Sequence, residues 1–247
     1  MVKKFKMAYE KIAEIVTNKW LMLIGVVTYI VTMIPLWYLA FYARPSGDDY
    51  GYSMDTRVAW KHTHSLIEVF KAGIETTKFM CTVLNGDWFT VFLFTLMPEV
   101  FVTWSYWIVP FIMSFFMISG VVSIARELLG KRLGMKPHTW VFIVALILMA
   151  SYQYVPSTAI ALYWYVGATH YIFPHFLALF LISFLSRYLR TEKKRYLVMS
   201  AIGLFMIGGS SYFSFLLVFL VYVLAVFLNV KNNKKTLWIA IPFLVGS

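Results

Sequence analysis

Trp140-Val-Phe-Ile-Val-Ala-Leu-Ile-Leu-Met-Ala150 is an unbroken apolar run of 11 residues, and it stops at Ser151-Tyr-Gln-Tyr-Val-Pro156. Eleven helical residues reach only about 16 Å, roughly half of a hydrocarbon core about 30 Å thick. The pattern recurs at Leu197–Ile207, again 11 residues, followed by Gly208-Gly-Ser-Ser211. Backbone cannot leave a helix in lipid without stranding polar groups. Two short helices ending at Ser, Gln, Gly and Pro therefore predict a cavity with its floor near mid-membrane. Each run would have a returning partner, Ile172–Ser186 and Tyr212–Leu228. The alternative is two long unbroken spans, which would force the basic block between them to the opposite side.

That block is one of four. Lys3, Lys4, Lys6, Lys11 and Lys19 form the first; Arg126, Lys131, Arg132 and Lys136 the second. Arg187, Arg190, Lys193, Lys194 and Arg195 form the third, and Lys231, Lys234 and Lys235 the fourth. Together they hold 17 of the 22 basic residues. Cytoplasmic loops collect Lys and Arg, so all four are expected on the cytoplasmic side. The other five bases share residues 43–87 with Asp48, Asp49, Asp55, Glu68, Glu75 and Asp87. With Glu99 just beyond, that side carries seven acids, and it is expected to face outward. Attraction to anionic membrane lipids accounts for the net charge of +11, and nucleic acid is not an expected partner.

Composition agrees with this reading. Hydrophobic residues make up 61% of the 247 and charged residues 13%, with mean hydropathy +0.74. Soluble domains sit near 45–50% and about 25%. The expected fold is all-α and multi-pass: about six spans and the start of a seventh at Leu237, several of them short and broken around an outward-facing cavity. Residues 1–19 form a cytoplasmic N-terminus and 20–42 a first span too long for a signal-peptide core. Residues 43–87 form an outer loop with an amphipathic helix, and 88–247 a transmembrane bundle. In the loop, Leu66, Phe70, Gly73, Ile74, Thr77, Met80, Cys81 and Leu84 recur at helical spacing, opposite Glu68, Lys71, Glu75 and Lys78. Trp88–Met97, ending at Pro98-Glu99, reads as a half-inserted or interfacial segment. Phe101–Ala125 then crosses back.

Several groups could carry chemistry. Asp48-Asp49 follows the first span and can accept a proton, bind a divalent cation or cap a following helix. Tyr163-Trp-Tyr165 and His170-Tyr171 offer aromatic faces to a sugar, or belong to an interfacial aromatic belt. Gly208–Ser211 breaks a helix or permits tight packing. Asp87 and Glu99 bracket the short apolar segment as acids near the membrane. There is no HExxH, CxxC or GxSxG, and Cys81 is the single cysteine. No metal ligand set is identifiable, and no cofactor is certain.

Arg44-Pro45-Ser46-Gly47-Asp48-Asp49-Tyr50 after a single span resembles the start of GT-C-type membrane glycosyltransferases. Trp164-x-x-Gly167-x-x-x-Tyr171-x-x-Pro174 is similar to a signature in a bacterial branch of such multi-pass proteins, which also carries Gly-Gly-Ser-like breaks. The resemblance implies a polyprenyl-phosphate sugar donor, an outer-side acceptor, and a place in the bacterial plasma membrane. It assigns Asp49, with Asp48, to the acid that serves acceptor or metal. Asp49→Asn is then expected to abolish turnover and spare folding. Trp164, Gly167, His170, Tyr171 and Ser210 take the substrate-lining role. Two positions depart from the pattern: His170 stands where Asn is frequent, and Tyr212-Phe-Ser-Phe215 replaces an acid after the break. Relatives are usually longer, so the chain is expected to be an N-terminal part or a minimal relative. A non-catalytic carrier, flippase or assembly subunit for lipid-linked substrates is the alternative function.

Overall fold

The computed structural model describes residues 19–84 and 86–229, and all regular structure among them is helical. The expectations for the first 18 residues, the fourth basic block and the repeat from Leu237 lie outside the described residues. Among the described residues three helices are long and apolar enough to cross a membrane: α1 Lys19–Ala40, α5 Ser105–Arg132 and α7 Tyr165–Thr191. Between α1 and α5 lie α2 Asp49–Thr63, α3 Leu66–Val83 and the short α4 Trp88–Phe94. The remaining helices are α6 Pro137–Gln153, α8 Lys194–Gly208 and α9 Tyr212–Asn229.

The contacts between helices fix their relative directions. On α1, Gly25 meets Phe142 of α6 and Tyr29 meets Tyr152, so these two run parallel. Trp37 donates to Ser114 Oγ, and Phe41 stacks on Trp107, so α1 and α5 are antiparallel. Gly120 packs against Phe176 and Ser123 donates to Ser183 Oγ at 3.0 Å, making α5 and α7 parallel. Gly203 of α8 receives Leu181 of α7, while Phe184 stacks with Tyr196, so that pair is antiparallel. Small residues at these crossings let backbones approach where lipid gives helices no hydrophobic drive to associate. These directions bring Lys19, the 126–136 segment and the 187–195 segment to one end. Asp48, Asp87, Gln153 and Gly209 come to the other. The faces turned away from the bundle are strongly apolar: Ile24 and Ile34 on α1 are 58% and 54% exposed.

Both predicted breaks are present, at 154–157 and 209–211, but the helices before them are longer than 11 residues. Helix α6 has 17 residues and α8 has 15, reaching about 25 Å and about 22 Å. Polar Tyr152 extends α6 because its ring finds Tyr29 to pack on. The outer loop holds two helices where one was expected. In α3 the buried stripe is Val69, Gly73, Thr76 and Thr77, and Phe70 and Ile74 are exposed beside the charged face. Glu68–Lys71 and Glu75–Lys78 pair along that face at 2.8 and 2.7 Å. An apolar band next to a charged one is the signature of a helix lying at an interface.

Candidate functional site

The two adjacent aspartates open α2 and are driven apart by helix geometry, since successive residues point about 100° apart around the axis. Gly47, at φ +53°, makes the left-handed turn that starts the helix. Asp49 N–H donates to Ser46 C=O at 3.2 Å, and Ser46 N–H returns a bond to Asp49 Oδ2 at 3.0 Å. Asp48 is exposed, whereas Asp49 is fully buried.

Asp49 satisfies the start of α7. Trp164 is extended (φ −89°, ψ 110°), so the helix that follows begins with N–H groups that have no partner one turn earlier. Val166 N–H donates to Asp49 Oδ1 at 3.0 Å, and Tyr165 N–H donates to Tyr106 Oη at 2.8 Å. The Tyr106 hydroxyl lies 2.6 Å from Asp49 Oδ2 and 2.8 Å from Tyr163 C=O. With one proton to give, it favours the charged acceptor. A carboxylate at a helix N-terminus also meets the positive end of its dipole. Asp49 is thus a cap delivered from another helix. Among the described residues its hydrogen bonds run to the scaffold, and it stands behind the cleft rather than in its lining.

That cleft, about 190 Å³, is lined by Asp48, Asp87, Trp164, Gly167, His170 and Tyr171, among others. Gly167 accounts for the spacing of the Trp-x-x-Gly motif. A Cβ there would press into the Trp164 indole, so only glycine lets the ring lie across the first turn of α7. A π turn, Ala168–Ile172, then carries His170 and Tyr171. It precedes Pro174, which has no N–H to give and crowds the preceding turn. Tyr171 is half exposed at the mouth.

Asp87 stands just before α4 and is 2% exposed, with Oδ2 3.8 Å from His170 Nε2. Burial raises its carboxyl above the usual range, and His170 partly offsets the rise. Thr90 Oγ1 lies 3.5 Å from His170 Nδ1. On the opposite wall, burial and the neighbouring Asp48 raise the Tyr52 phenol.

The Gly-Ser break supports Asp87 from behind. Phe89 and Thr90 N–H donate to Gly209 C=O at 2.7 and 3.2 Å, closing the first turn of α4. A Cβ on Gly209 would overlap the Trp88 indole. Ser210, expected in the substrate-lining set, lies outside the cleft. It is buried, and its hydroxyl donates to Met206 C=O at 2.8 Å. Gln153 is exposed and does not line the cleft. Glu99 is buried elsewhere.

The structure therefore gathers Asp48, Trp164, Gly167, His170 and Tyr171, adds Asp87 and Tyr52, and sets Asp49 and Ser210 in the supporting scaffold. Asp87 was legible only as an acid at the edge of an apolar segment; nothing in the sequence joined it to His170. Among the described residues, no group of three or more His, Cys, Asp and Glu is placed to hold a metal ion. Compared with protein-family models, curated proteins and solved structures, the chain matches none.

Proposed function

We propose that this chain is a glycosyltransferase-like protein of the bacterial plasma membrane. It moves a sugar from a polyprenyl-phosphate donor to an acceptor on the outer side. The observation that carries the reading is one small cleft holding two carboxylates, an imidazole and four aromatic side chains from elements far apart in sequence. The positive-inside rule puts the basic end in the cytoplasm and the cleft outside. Helices α6, α8 and α9 add shorter crossings to the three long ones, giving six.

The division of labour follows from exposure. Asp87 accepts the proton of the acceptor hydroxyl as that oxygen bonds to the anomeric carbon. The bond from the anomeric carbon to the phosphate oxygen breaks, and polyprenyl phosphate leaves with the electron pair. A raised carboxyl suits proton acceptance better than an ordinary one. Asp48 at the rim holds sugar hydroxyls, and Trp164 and Tyr171 offer ring faces to the C–H surface. His170 orients the Asp87 carboxylate.

The test uses full-length protein in liposomes with a polyprenyl-phosphate-linked sugar and an envelope extract as acceptor. Release of polyprenyl phosphate is expected, with Asp87→Asn slower by about 10²–10⁴-fold. Donor binding without turnover, unchanged in Asp87→Asn, is the outcome a carrier would give.

A further inference from the structure

A second polar cavity lies at the basic end, about 170 Å³ in volume, walled by Arg126, Lys131, Arg187, Arg190, Glu127 and Tyr196. Helix α5 finishes there in a π turn, Arg126–Arg132. Its i→i+5 bonding, seen in Leu133 N–H to Leu128 C=O at 2.9 Å, puts residues five apart on one face. Arg126 and Lys131 are such a pair, and both line the cavity.

The one acid there is already committed. Glu127, 2% exposed, receives Arg190 Nε on Oε1 and Nη2 on Oε2, both at 2.8 Å. Ser186 Oγ adds a contact at 3.5 Å, and Arg187 and Arg132 stand 3.8 and 4.0 Å away. Arg187 is held in place by Ser123, whose oxygens it reaches at 3.1 and 3.3 Å, and by the Phe184 and Tyr196 rings. Among the described residues Arg126 and Lys131 carry no ion pair. Four cations therefore face one neutralised carboxylate. A guanidinium has five N–H donors, so Arg190 keeps donors to offer after its fork to Glu127.

We propose that this cavity binds a phosphate group. At about 170 Å³ the cavity has room for one tetrahedral anion. Two guanidinium groups fixed by hydrogen bonds, joined by two unpaired cations, match an oxyanion of more than one charge. The cavity sits where α5 and α7, two helices long enough to cross a membrane, end, and basic pockets between transmembrane helices on the cytoplasmic side take anionic lipid headgroups. The phosphate thus comes from a lipid headgroup or from free phosphate. This binding is independent of the chemistry in the Asp87 cleft.

Thermal unfolding of the full-length protein in non-ionic detergent tests it. The probes are short-chain phosphatidic acid, short-chain phosphatidylcholine and inorganic phosphate. Phosphatidic acid should raise the midpoint in a saturable way and phosphatidylcholine should not. Arg126→Gln/Lys131→Gln, which leaves the Glu127–Arg190 pair intact, should weaken the response about tenfold or more. Arg126→Lys/Lys131→Arg should retain it. Lys193→Gln/Lys194→Gln removes the same charge outside the cavity and should change nothing. A matching response to inorganic phosphate would assign the source to free phosphate, and its absence to the lipid. No stabilisation by either, or equal weakening in the Lys193/Lys194 variant, would overturn the proposal.

Discussion

Tyr106 Oη lies 2.6 Å from Asp49 Oδ2 across 57 positions of sequence, and the pair together caps the broken start of α7. Tyr106 is fully buried, as is Asp49. Tyr106→Phe removes a donor to a charged acceptor and strands Tyr165 N–H, so it should cost about 1.5–3 kcal/mol of stability. Thermal or denaturant unfolding in detergent measures it.

Asp49→Ala should be worse, at about 3 kcal/mol or more, because Val166 and Ser46 N–H both lose their acceptor. Asp48→Asn, at an exposed position, should leave the midpoint nearly unchanged. A normally folded Asp49→Ala protein that lacks only transfer activity would return Asp49 to the chemistry.

Asp87 should be destabilising when charged. Its folded pKa is raised, so the native state binds the proton more tightly than the unfolded chain. The cost is absent below the ordinary carboxyl value, grows as pH rises, and is complete above the folded value. Asp87→Asn should therefore gain stability relative to wild type as pH rises from about 4 to 7, while losing transfer. The difference in unfolding midpoint at the two pH values reads this directly.

The helical class and the long apolar helices α1, α5 and α7 were legible because they rest on run length, a local feature. The different placements of Asp48 and Asp49 were not. The two are chemically identical neighbours, and what separates them is Tyr106 and Val166, 57 and 117 positions on. Helix α2, signalled only by a candidate cap at Asp48-Asp49, has no legible extent because Asp49–Thr63 is polar, with buried Ser53 and Thr56 in place of an apolar stripe. Thr56 is held by Thr95 C=O, a contact no periodicity encodes. The Gly-Ser break was visible as a break, but its use as acceptor for α4 depends on a partner more than a hundred residues earlier.

Gly209→Val should push Trp88 aside, disturb the first turn of α4 and move Asp87. A stability loss of about 1–3 kcal/mol is expected from the overpacking, together with loss of transfer. Ser210→Ala should leave transfer intact, since its hydroxyl donates to Met206 C=O of the helix behind it.

The orientation is tested by membrane-impermeant thiol labelling in a Cys81→Ser background. Asp55→Cys should be modified from outside intact cells and Lys193→Cys spared. The reverse pattern would place the Asp87 cleft in the cytoplasm, away from an outer-side acceptor.

The most direct test of the central claim compares polyprenyl phosphate release by wild type, Asp87→Asn and Asp55→Asn in liposomes with donor and acceptor extract. The account predicts turnover in wild type, a loss of about 10²–10⁴-fold in Asp87→Asn, and near wild-type release in Asp55→Asn. Equal release by all three, with the Asp87→Asn protein folded, would contradict it.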